Sequence, residues 1–81
     1  MIKTSQQLRK DYQKIINDNK DITPLLSESE FIELFLNKQL IQINESLLTW
    51  SEESKKNYKD TYKRILSDRK QLLNELDLLT K

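Results

Sequence analysis

Apolar residues along this chain recur at steps of three and four rather than in alternation. From Tyr58 onward, Tyr58, Tyr62, Ile65, Leu72, Leu76 and Leu79 keep a four-three rhythm with Arg69 filling one slot. That stripe is the seam of an amphipathic helix. Earlier, Leu8, Tyr12, Ile15 and Ile22 follow the same rhythm with Asn19 in one slot. Ser27-Glu-Ser-Glu30 then opens a third periodic run with a capping box, in which the serine oxygen takes an orphan amide and Glu30 reaches back. These patterns predict helices over about 5–20, 28–48 and 52–80, in a single all-α domain over 1–81. The architecture expected is a small three-helix bundle, or a helical hairpin with a long C-terminal helix.

Two connections follow from local chemistry. Pro24 pushes Thr23 out of helical backbone and removes a donor, so the first break belongs at 21–27. Its apolar residues Ile22, Leu25 and Leu26 predict a loop that packs. The second break is subtler. Extending the first stripe of helix 2 lands on Ser54 and Asn57, whereas the next seam begins at Tyr58, a slip of one residue. Thr49-Trp-Ser-Glu-Glu53 offers caps followed by acids, which favours a break near 49–52 over one long bent helix.

The second helix carries two apolar stripes. Leu36, Leu40, Ile43, Leu47 and Trp50 form one; Leu34, Ile41 and Leu48 form the other, with Glu33, Asn37 and Asn44 between them. Two stripes call for two neighbours, as a three-helix bundle provides. At 1.5 Å per residue the three helices are about 24, 32 and 43 Å long, so the last overshoots a hairpin partner from Asn74 onward. Leu76, Leu78 and Leu79 then emerge near Phe31, Ile32 and Phe35. Those residues either close the end of the bundle or present an apolar patch to a partner. Leu78 lies off the seam and has no evident role within the chain. Phe31, Phe35, Leu76, Leu78 and Leu79 are accordingly the candidate partner-binding residues.

Composition narrows the chemistry. The chain has no cysteine, no histidine and no glycine, which removes thiol, imidazole and glycine-loop phosphate chemistry. Only carboxylates and tyrosines remain for acid–base work, and no acid sits on an apolar stripe that would tune it. The expectation is a protein that is not an enzyme and carries no cofactor or metal. The N-terminal stretch lacks the apolar run of a signal peptide, and no run is long enough to span a membrane; a cytoplasmic location is expected. The absence of alanine and valine, with abundant Ile, Asn and Lys, points to A/T-rich codons such as those of phages and mobile elements.

Net charge is +1 but unevenly placed: +3 over 1–20, −6 over 21–54, +5 over 55–70 and −1 over 71–81. An acidic middle helix between basic ones guides pairing, although exposed pairs contribute only ~0–1 kcal/mol each. Lys55, Lys56, Lys59, Lys63 and Lys70 fall within about 100° on a continuous helix, away from the seam. By default such a strip is solvated; its functional alternative is contact with phosphates or anionic lipid, as in a small nucleic-acid-binding regulator. Arg69 either snorkels toward Glu33 or Glu30 or, as a lone polar core residue, sets register or partner choice.

The opening MIKTSQQLRKDYQKII, together with the length, composition and helicity of the whole chain and its lack of a signal peptide, resembles the small cytoplasmic lysis-inhibition proteins, or antiholins, of T-even phages. The resemblance rests on these bulk features rather than on a motif, so it assigns no residue a role. It implies an adaptor that binds the cytoplasmic part of a membrane-embedded holin and delays host lysis; the helical bundle itself is expected to be a monomer or homodimer. Such a protein would sit in the host cytoplasm or peripherally at the inner membrane.

Overall fold

The computed structural model describes residues 2–19, 21 and 25–80. Among these are four helices and no strand: α1 (Ser5–Asp18), α2 (Glu28–Leu48), α3 (Glu52–Asn57) and α4 (Lys59–Leu79). The all-α expectation holds. The start signal of α2 operates as read, and α1 opens on a box of the same kind. Thr4 caps α1, its Oγ1 accepting from the Gln7 amide at 3.3 Å while Gln7 accepts from the Thr4 amide at 2.9 Å. Ser27 and Glu30 close the same reciprocal box on α2, at 3.3 and 3.2 Å. The second connection also lies where it was expected: Thr49 ends α2, and Ser51 caps α3 by accepting from the Ser54 amide at 3.1 Å. Ile22 and Pro24 of the first connection lie outside the described residues.

One expectation is corrected. The helix over 52–80 is not continuous, because Tyr58 leaves helical geometry at φ −123°, ψ 48° and separates α3 from α4. Neither Gly nor Pro is present to force this. The break leaves α2 and α4 at 21 residues each, and the two run antiparallel with a stagger. Arg69 bonds Asn44 and Trp50 packs on Tyr62, so α4 starts beyond the C-terminal end of α2 and the overhang expected from Asn74 onward does not form. Tyr58, expected in the seam, is instead 63% exposed. Beyond the break, Trp50 packs its ring against Tyr62 at 5.3 Å, and Lys55 of α3 lies 5.6 Å over the same ring.

The core is small and sits toward one end of the α2–α4 hairpin. Leu8, Ile32, Leu36 and Leu72 are fully buried, and Ile2, Phe31, Phe35, Leu40, Ile43, Leu76 and Leu79 pack around them. Burying each leucine contributes about 2 kcal/mol. The seam predicted for α4 is therefore real from Tyr62 onward, and the first stripe of α2 faces it.

Helix α1 lies along one side of this hairpin. Lys3 and Gln39 exchange two hydrogen bonds, the Lys3 amide donating to Gln39 Oε1 at 2.6 Å and Gln39 Nε2 donating to the Lys3 carbonyl at 2.9 Å. Arg9 pairs with Glu28 at 2.9 Å, and Glu75 of α4 accepts from the Ser5 amide at 3.2 Å. That last carboxylate meets the positive end of the α1 dipole, which orients α1 as well as anchoring it. Tyr12 donates its hydroxyl to the Leu26 carbonyl at 2.8 Å, tying the loop to α1. Leu25 stands fully exposed, so only part of the loop packs as expected. The molecule measures 53 × 27 × 17 Å across its Cα atoms. A depth of 17 Å accommodates two helix layers and no more.

Candidate partner-binding surface

The five residues expected to meet a partner separate into two groups. Phe31, Phe35, Leu76 and Leu79 join the cluster around the buried core and close the end of the hairpin. Leu78 does not; it is 69% exposed. Its phase on α4 explains this, since it lies about 160° from Leu76 and a further 100° separates it from Leu79.

Phe31 and Phe35 are only half-buried, and they form the floor of a shallow groove between α1 and α2. The groove holds about 440 Å³ and is lined also by Leu8 and Ile15, with Lys3, Asp11, Lys14 and Asp18 at its rim. Tyr12, Phe31 and Phe35 stack in sequence, ring centroids 5.4 and 4.6 Å apart and tilted, a geometry that favours aromatic contact. The amphipathic face of α1 produces this groove: Leu8 turns inward while Ile15, two turns on, remains 48% exposed. An ion pair between Lys3 and Asp11, 2.8 Å long, crosses its edge. A mostly apolar trough with a charged rim suits a helical or extended peptide better than a polar metabolite.

The lysines are divided by the break at Tyr58. Lys55 and Lys56 belong to α3, and Lys59, Lys63 and Lys70 to α4, so they do not form the single strip that a continuous helix would present. Lys55 is turned to Glu52 at 3.3 Å and to the Tyr62 ring. Arg69 reaches neither Glu33 nor Glu30. Its Nε donates to Asn44 Oδ1 at 2.8 Å, because Asn44 rather than an acid lies beside it on α2.

The second stripe of α2 stands largely open among the described residues. Leu34, Ile41 and Leu48 are 41%, 56% and 87% exposed, contrary to the expectation of a second neighbour on that side. α1 packs instead on the side marked by Gln39 and Glu28. On α4, Leu66 and Leu73 are likewise 41% and 40% exposed. The sequence signalled the α2 stripe but not its emptiness, and it gave no notice of Leu66 and Leu73. No helix among the described residues is long and apolar enough to cross a membrane. No protein-family model matches the chain, and no curated protein or solved structure matches it either.

Proposed function

We propose that this protein is a non-enzymatic protein-binding regulator, and that its partner is the cytoplasmic segment of a membrane-embedded holin, whose hole formation it delays. The observation that carries the reading is apolar surface left open at the core end of the hairpin: Leu78 exposed one turn from the core residues, and an aromatic-floored groove between α1 and α2. Exposed apolar ground of this kind marks protein-interaction sites. The resemblance to phage antiholins supplies the partner. Lysines on α4 contribute orientation and association rate rather than most of the affinity.

The test is a titration of the isotope-labelled protein with a synthetic peptide of the cytoplasmic segment of a T-even phage holin, followed by amide chemical shifts. Saturable shifts at Phe31, Phe35 and 76–80, retained at about half-molar salt and lost in Leu78→Asp, are expected. If Leu78→Asp binds as wild type does, the assigned surface is wrong. The nucleic-acid reading makes the opposite forecast, since phosphate contacts weaken steeply with salt. Under it, Lys56→Glu with Lys63→Glu would abolish activity and Leu78→Asp would not.

A further inference from the structure

The two exposed stripes lie on one face. Arg69 bonding Asn44 marks the side of the hairpin away from α1, whereas Gln39 and Glu75, which hold α1, mark the other. At ~100° per residue, Ile41 and Leu48 fall within about 60° of Asn44, and Leu66 and Leu73 within about 60° of Arg69. Leu34 sits slightly farther round on the α2 edge. The 17 Å depth of the molecule agrees with a face that carries no third helix.

The face also has internal symmetry. On α2 the apolar positions are centred on Ile41, with Leu34 and Leu48 seven residues to either side. On α4 they are centred midway between Leu66 and Leu73. Trp50 against Tyr62 and Asn44 against Arg69 set the antiparallel register, and it places Ile41 level with that midpoint to within half a turn. A twofold axis through this point, perpendicular to the helices, lays α2 on α2 and α4 on α4, each antiparallel. Leu34 then meets Leu48 of the second copy and Ile41 meets Ile41, while Leu66 and Leu73 approach each other with an axial offset of about one turn.

Charge agrees with this register. Lys38 and Glu45 are both exposed on the outer edge of the α2 stripe, and the same axis brings Lys38 of one copy beside Glu45 of the other, twice. A parallel-axis dimer would lay α2 on α4 instead, where Lys38 and Glu45 stand level with Asn74 and Ser67 and do not meet each other. Lys70 is the unfavourable element of the perpendicular arrangement, since it meets its own counterpart near the axis. Its stem lets the two ammonium groups diverge into water.

We propose that this face is closed by a second copy of the chain, giving an isologous dimer with a four-helix core built from two α2–α4 hairpins. At ~200 Å² for a fully exposed Leu or Ile, the five side chains supply roughly 500 Å² per copy, against ~800 Å² per partner in a standard interface. Asn37, Lys38, Glu45 and the α4 lysines at the edges supply the remainder. The groove over Phe31 and Phe35 lies on the α1 side and stays open, so dimerisation and the binding proposed above occupy different surfaces. The dimer does not depend on the holin reading.

Sedimentation equilibrium of the full chain across roughly 1–300 µM tests it. A species of about twice the 9.7 kDa chain mass is expected. Ile41→Glu, which sets two carboxylates at the axis, should leave a monomer with unchanged helical circular dichroism, because Ile41 is more than half exposed. Glu45→Lys should raise the dimer Kd at least tenfold, and Lys38→Glu with Glu45→Lys should return it to within about threefold of wild type. Wild type remaining monomeric throughout overturns the proposal, as does a dimer indifferent to Ile41→Glu. A charge swap without rescue overturns the antiparallel α2 register. A monomer whose Ile41 amide shifts on addition of the holin peptide would give this face to the partner and overturn the dimer; Leu78→Asp, outside the face, leaves dimerisation unchanged.

Discussion

Replacing Leu36 with alanine removes one of four fully buried side chains in the whole described chain, and the one at 0% exposure on α2. Its neighbours in the core are Leu8, Ile32 and Leu72. Three lost methyl or methylene equivalents account for about 2.4 kcal/mol of transfer free energy, and the cavity left behind adds about 1 kcal/mol. Helices held by so few contacts collapse partly into the gap, so about 3 kcal/mol is the expected loss. A chain of 81 residues has about 4–12 kcal/mol of total stability. The substitution therefore removes between a quarter and three quarters of it. With a urea m-value of about 1 kcal/mol/M for a domain this small, the midpoint should fall by about 3 M. Trp50 is the sole tryptophan, and it lies at the opposite end of the hairpin from Leu36. Following its fluorescence alongside circular dichroism tests whether the weakly packed Trp50 end unfolds together with the core. Leu25→Ala is the matched control: the same chemistry at a fully exposed position, expected to shift stability by less than about 0.5 kcal/mol. Equal midpoints for Leu36→Ala and Leu25→Ala would refute the assignment of the core. Fluorescence unfolding well before circular dichroism would refute its cooperativity.

Other outcomes follow from individual contacts. Glu75→Ala frees the Ser5 amide at the start of α1; a loss of about 1–2 kcal/mol is expected, with hydrogen exchange in α1 accelerating more than in α2 or α4. Ser27→Ala breaks the capping box of α2 and should cost about 1 kcal/mol in urea unfolding. Arg69→Leu removes an exposed hydrogen bond to a neutral amide. It should change stability by less than about 1 kcal/mol, and the change should be the same at low and high salt, since Glu33 and Glu30 are not its partners. Tyr12→Phe deletes the bond to the Leu26 carbonyl and should cost about 1 kcal/mol, read by thermal unfolding.

Much of the architecture was legible because its signals are local. Ser27 and Glu30 close a capping box within four adjacent residues, and Ser51 caps α3 as locally, so the starts of α2 and α3 could be read from a few neighbouring residues. The four-three rhythm likewise identified the inner side of α4 from Tyr62 onward, since burial of that stripe needs only some apolar neighbour. The break at Tyr58 was of a different kind. No residue there forbids helix, so the interruption carries no local signature. The partner of Arg69 depended on a relation between segments far apart in sequence: a shift of register along α2 decides whether it meets an acid or Asn44.

The candidate surface divides along the same line. That α2 carries two apolar stripes is a property of its sequence, and helical periodicity alone displays it. The first stripe is covered by α4, and the second stays exposed because α1 docks on the side of Gln39 and Glu28; those contacts carry no signature in the periodicity of any one helix. The exposed stripe on α4 was hidden for the same reason, because Leu66 and Leu73 acquire meaning only beside Ile41. Sequence by itself determined that this chain folds as helices and which residues seek burial. The tertiary structure decided which of them find it, because burial depends on the distance between helices, and only packing sets that distance.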